Sequence, residues 1–143
     1  MRSGQAVFPT PEERDELLKR FSRALFKRDM NALYTVVTED FVWKFHDGGT
    51  LVRSLSNREA ISNHLTSQTE LFSSQRFEEV AYYHMPEITL MTCRVDEIER
   101  ETGDRRTQRG VELYSFQDKK IAMKDVYRKP VLSGDHEYPS SER

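Results

Sequence analysis

The run ITLMTCRVDEIER, residues 88–100, decides how this chain folds. Its side chains alternate. Ile88, Leu90, Thr92, Arg94, Asp96 and Ile98 fall on one side, and Thr89, Met91, Cys93 and Val95 on the other. A period of two marks a β-strand, whose successive Cβ atoms point to opposite faces. The same period holds over Gln75–Met85, Arg105–Phe116 and Ile121–Lys129. Glu101-Thr102-Gly103-Asp104 and Gln117-Asp118-Lys119-Lys120 are short connections of the kind hairpins need. Four strands in succession predict an antiparallel meander. The row Thr89, Met91, Cys93 and Val95 is apolar enough that water is an unsuitable neighbour. With only three short helices available as cover, this row predicts a homodimer through the outer sheet face.

Upstream of residue 75 the period becomes that of a helix. Thr10-Pro11-Glu12-Glu13 is a capping box with proline at the first helical position. Leu17, Leu18, Phe21 and Leu25 then share one face, which predicts a helix over 11–28. A second helix is predicted over 30–38, with Leu33, Val36 and Val37 inward. Phe41–His46 reads as a strand stopped by Asp47-Gly48-Gly49. Ser56-Asn57-Arg58-Glu59 is another capping box; it opens a helix with Ile61, Leu65 and Phe72 inward and His64 beside them. Helices followed by a meander define an α+β class. The expected architecture is a curved, mostly antiparallel sheet wrapped around three N-terminal helices, a cone with an internal pocket. Its domain is expected over residues 10–130, with flexible segments at 1–9 and 131–143.

Composition removes several function classes. The length, 143 residues, fits one domain. Eight Phe, six Tyr and one Trp argue against a disordered chain. Lys plus Arg is 22 and Asp plus Glu is 24, a balance that gives no footprint for nucleic acid. Apolar runs are too short to span a membrane. The first residues lack the apolar core of a secretory signal. A single cysteine, Cys93, excludes an internal disulfide and fits a reducing, cytoplasmic location. No histidine pair has metal-ligand spacing, and no glycine-rich phosphate or dinucleotide loop is present, so neither metal nor cofactor is expected.

Four stretches together carry a family resemblance. They are PEERDELLKRFSRALFKRDMNAL at the N-terminus, TEDFVWKF at the first strand, LSNREAISNHL at the third helix, and RGVELYSFQDKKIAMKDVYRK at the last two strands. In order and spacing they resemble the SnoaL-like family, a branch of the nuclear-transport-factor-two-like superfamily, over about residues 8 to 130. Asn57 and Lys119 stand where glycine is usual. The resemblance implies the cone, frequent homodimers and a pocket at the open end. It spans cyclases, isomerases, dehydratases, epoxide hydrolases and non-catalytic binding modules, so it implies no single reaction.

Arg94 and Asp96 are two apart in a strand and share a face, together with Ile88, Leu90 and Ile98, which suggests the interior. By the same parity Ile121, Met123, Asp125 and Tyr127 share a face of the last strand. A guanidinium between two carboxylates would separate their pKa values into an acid and a base. The set Arg94, Asp96 and Asp125 is similar to the Asp-Arg-Asp machinery of limonene-type epoxide hydrolases. That resemblance implies catalytic roles for all three. Trp43 and Phe45 stand where that group positions its water, and neither accepts a hydrogen bond from water. Phe45 also stands where ketosteroid isomerases carry their base. The alternative for Arg94, Asp96 and Asp125 is an ion-pair network that fixes the sheet. Trp43, Phe45, Tyr127, His64 and Met123 are the candidate ligand-binding residues, and the aromatic ones suit a small apolar or cyclic molecule. Two classes remain: a cofactor-independent acid–base enzyme, and a ligand-binding or protein-interaction module on the same fold.

Overall fold

The computed structural model describes residues 7–47 and 50–131. The elements run α1 (Pro11–Lys27), α2 (Met30–Leu33), β1 (Val37–Asp47), β2 (Thr50–Leu55), α3 (Arg58–Leu71), β3 (Phe72–His84), β4 (Ile88–Glu99), β5 (Arg105–Gln117) and β6 (Lys120–Val131). The strands form one sheet in the order β2-β1-β6-β5-β4-β3. Every neighbouring pair is antiparallel except β1 and β6. The exception follows from the path of the chain: α3 carries it from β2 to the far edge, and the meander returns β6 beside β1. The result is the α+β cone expected from the sequence, an unclosed curved sheet around the N-terminal helices.

Local chemistry explains the elements. Thr10 caps α1 reciprocally with Glu13, and Arg28 ends it in the left-handed region. Leu18, Phe21 and Ala24 bury one face of α1. Phe21 meets Phe41 and Tyr114 edge-on at centroid distances of 5.9 and 5.8 Å, which joins the helix to β1 and β5. Arg14 is 3% exposed and donates to the carbonyls of Pro9, Met85, Pro86 and Ile88, tying α1 to the β3–β4 connection. The β5–β6 hairpin turns on Asp118 and Lys119, both at positive φ (53° and 60°), so a two-residue turn forms without glycine.

Several expectations need correction. The second helix is one turn long, and β1 begins at Val37. Val36, Val37 and Thr38 are β-branched and favour strand, and Ile121 N–H donates to the Val36 carbonyl. The third helix is capped by Asn57, whose side chain accepts from Ala60 N–H, one residue later than the Ser56 box implied. The sequence reading assigned no strand to Thr50–Leu55, where all but Leu55 are exposed on the sheet edge. The stop at Gly48-Gly49, residues 1–6 and residues 132–143 lie outside the described residues. Phe8 packs against the core and Pro9 is buried.

The largest correction concerns which face is inside. Met91, Cys93 and Val95 are 5%, 2% and 0% exposed and join the core under α1. They are therefore not outer or dimer-face residues. Arg94 and Asp96 lie on the opposite face. On β6 the pairing steps from Ser115↔Met123 to Phe116↔Ile121, which leaves Ala122 unpaired. This bulge reverses the parity: Ile121 faces inward, but so do Lys124 and Val126, while Met123, Asp125 and Tyr127 turn outward.

Candidate functional site

The inward rows carry charge where a core should carry none. On β5, Glu112 shares its row with Tyr114 and Phe116, all buried. On β6, Lys124 occupies the inward row with Val126, followed by Arg128. Glu112 is 1% exposed. The Tyr114 hydroxyl donates to its Oε1 at 2.6 Å, Lys124 Nζ stands 3.6 Å from Oε1, and Arg128 Nη2 stands 3.5 Å from Oε2. Isolated charges at this depth would be prohibitive, so the group holds together as an ionic set.

Aromatic rings wall this set. Lys124 Nζ lies 4.3 Å from the Trp43 ring centre and 5.4 Å from that of Phe21. Trp43 stacks on Phe45 at 5.3 Å, and His64 of α3 sits 5.0 Å from each. Arg53 of β2 donates to His64 Nδ1 at 3.0 Å, which leaves the proton of the neutral ring on Nε2. Arg128 lies over Phe77 of β3 at 5.3 Å. Gly110, on the β5 row before Glu112, makes the crossing of β4 and β6 side chains possible: a Cβ there would stand 2.9 Å from Cys93 Sγ.

The electrostatics follow from burial and neighbours. Burial by itself raises Glu112, but Lys124, Arg128 and Tyr114 outweigh it and hold the carboxyl below its ordinary value. Burial lowers the Lys124 ammonium, and Glu112 opposes that effect. Burial, then Glu112, pushes the Tyr114 phenol well up. Burial and the cations Arg53, Lys124 and Arg128 depress His64 to about 4, so its imidazole is neutral at physiological pH. Burial and Glu112 raise the Cys93 thiol to about 11, which makes it a poor nucleophile.

The residues singled out in the sequence divide between the two faces. Trp43, Phe45 and His64 meet in the interior. Met123 and Tyr127 do not join them. Arg94 does reach Asp96, at 3.1 and 3.2 Å, but on the outer face, where it also pairs with Glu78 and Glu79. Burial opposes, but the bonds from Thr107 and Arg94 hold Asp96 below its ordinary value. Asp125 stands elsewhere: Oδ1 is 2.9 Å from His46 Nδ1, and Tyr127 donates to Oδ2 at 3.3 Å. The register sets Arg94 opposite Arg109 and Lys129, four residues along and two strands away from Asp125, a separation of roughly 15 Å. The triad expected by resemblance is therefore not assembled.

Glu112, Lys124 and Arg128 were missed by the sequence reading. One signal was present: in GVELYSF, residues 110–116, a glutamate shares its row with Tyr114 and Phe116. Among the described residues no group of three or more His, Cys, Asp or Glu side chains is placed to hold a metal ion. No helix there is long and apolar enough to cross a membrane.

Comparison with known proteins agrees with the fold. Residues 18–123 match the SnoaL-like domain. No curated protein matches the chain. Among solved structures, an NTF2-like protein from Burkholderia xenovorans superposes with a TM-score of 0.73 at 17% identity, over 84% of this chain and 92% of that one. TerC, co-crystallised with polyporic acid, superposes with a TM-score of 0.67 at 11% identity, over 82% and 92%. A phenazine biosynthesis-related protein from Pseudomonas aeruginosa gives 0.59 at 13% identity, over 82% and 84%. At these identities the likeness establishes the fold.

Proposed function

Since the chain belongs to the SnoaL-like family, we propose that its cone interior binds a small apolar or cyclic molecule and acts on it by acid–base chemistry without a cofactor. One observation carries this reading: an ionised carboxylate, Glu112, lies beside two cations, Lys124 and Arg128, among the rings of Trp43, Phe45 and His64. Burying such a set costs stability that an apolar core would not. Glu112 is the candidate base. The cations that weaken it as a base are the ones that would stabilise the oxyanion formed when it removes a proton next to a carbonyl. Cyclisation, isomerisation and dehydration can each begin with that step. Neutral His64, with its proton on Nε2, is a further donor to such an oxyanion. TerC, which shares the fold and was co-crystallised with polyporic acid, offers a parallel for small-molecule binding.

The test is deuterium incorporation from D2O at the activated methylene of 2-tetralone, followed by NMR. The wild type should accelerate exchange over buffer, and Glu112→Gln should remove the acceleration. Binding of the ketone without any acceleration would instead make the protein a non-catalytic binding module.

A homodimer across the outer sheet face remains part of this proposal, on different residues. The cross-strand rows Leu90–Leu113 and Thr92–Val111–Tyr127 face outward, and Val111 is 38% exposed. A cytoplasmic location fits one buried, unpaired cysteine.

A further inference from the structure

Counting what the interior offers a ligand gives a lopsided answer. Lys124 and Arg128 bring two positive charges against one negative charge from Glu112. The side chains of Lys124 and Glu112 are 6% and 1% exposed, so the surplus is not dissipated by water. Hydrogen-bonding capacity is just as uneven. Trp43 is 4% exposed, and among the described residues its indole N–H has no acceptor. The Arg128 Nε–H is also buried without one. His64 turns its Nδ1 to Arg53 and keeps a donor at Nε2. The acceptor beside these donors is Glu112, whose Oε1 takes the Tyr114 hydroxyl and whose Oε2 stands 3.5 Å from Arg128 Nη2 with no hydrogen bond among the described residues. A buried donor left without a partner keeps its full desolvation penalty, so a matching acceptor is strongly favoured.

We infer that the interior is built for a planar ring compound carrying one carboxylate, its ring against Trp43 and Phe45 and its carboxylate toward Arg128, Lys124 and the Trp43 indole N–H. This rests on the reading of the cone interior as the binding site and adds the charge of the ligand to it. One carboxylate brings the charge of the Glu112, Lys124 and Arg128 set to zero. It also supplies the acceptors that Trp43 and Arg128 lack. Arg128 suits the task because its guanidinium presents paired donors to a carboxylate. With 19% of its side chain exposed, it is the member of the set that solvent reaches most.

The experiment compares naphthalene-2-carboxylate with naphthalene-2-carboxamide at pH 7. The two share ring and shape and differ in charge. Trp43 is the only tryptophan, so its fluorescence reports the interior. The expected result is quenching by both, with the carboxylate bound at least about tenfold more tightly, as a charged hydrogen bond implies. Arg128→Gln should weaken the carboxylate far more than the carboxamide and so remove that preference. Lys124→Met serves as a second variant, and circular dichroism confirms the fold of each. Equal affinity for the two probes would overturn the charge inference and leave the interior as a binding site. A preference that survives in folded Arg128→Gln would overturn it as well. Failure of both probes to quench at millimolar concentration would overturn the inference and the reading beneath it together.

Discussion

The ammonium of Lys124 lies 3.6 Å from the carboxylate of Glu112, although both side chains are almost wholly buried and their residues come from different strands. An isolated pair at this depth barely offsets its own desolvation. Here Tyr114 adds a short hydrogen bond, Arg128 a second cation, and Trp43 and Phe21 offer their ring faces to the ammonium. The set is stable as a whole and fragile in its parts.

That fragility is measurable. Lys124→Met should cost about 3–5 kcal/mol, because it strands a buried carboxylate. Adding Glu112→Gln should recover part of the loss. Urea melts of both singles and the double variant give the coupling energy. Strictly additive losses would show that the two charges do not stabilise each other.

His64 should make stability depend on pH. Its folded pKa of about 4 lies below the ordinary 6.5, so between those values the unfolded chain binds more protons than the folded one. Stability therefore rises with pH through that window. It is fully present above about 6.5 and is lost as pH falls toward 4. The difference is on the order of 3 kcal/mol for a residue this buried. Urea melts between pH 4 and 7 should show the slope in the wild type and a shallower one in His64→Gln. Identical slopes would remove His64 as the cause.

Gly110→Ala should destabilise by about 1–3 kcal/mol through overpacking, since its Cβ would stand 2.9 Å from Cys93 Sγ. Cys93→Ala in the same chain should restore much of the loss, because it deletes the colliding atom. Thermal melts of the single and double variants decide this, and no rescue would place the conflict elsewhere.

On the outer face, Asp125→Asn should lower the melting temperature modestly, by weakening the contact with His46, and leave 2-tetralone exchange unchanged. Glu112→Gln should do the reverse on exchange. Loss of exchange in Asp125→Asn would place a catalytic role on the outer face instead.

Val111→Glu should convert the proposed dimer to a monomer, since it puts a charge at the centre of the outer apolar rows. Light scattering reads the mass directly. A wild type that is monomeric at micromolar concentration would end the dimer proposal.

Local chemistry was legible in the chain because it depends on neighbours in sequence. The Thr10–Glu13 box, the helical spacing of Leu18 and Phe21, the alternation of β4 and the hairpin at Asp118-Lys119 all act within a few residues, and each stands where the sequence placed it. The face of each strand was not legible. A period of two defines two rows, and nothing within the strand says which one α1 will cover. For β4 the charged row Arg94 and Asp96 lies outside because the apolar row Met91, Cys93 and Val95 gains more by packing under Phe21 and Leu18. For β6 even the parity was hidden, since one unpaired residue, Ala122, reverses it beyond Ile121. The site depends on both decisions. Glu112, Lys124 and Arg128 belong to two strands, and Trp43 and His64 to a third strand and a helix. What brings them together is the curvature of the sheet around α1 and the return of β6 beside β1, which are properties of the assembled fold rather than of any segment of the chain.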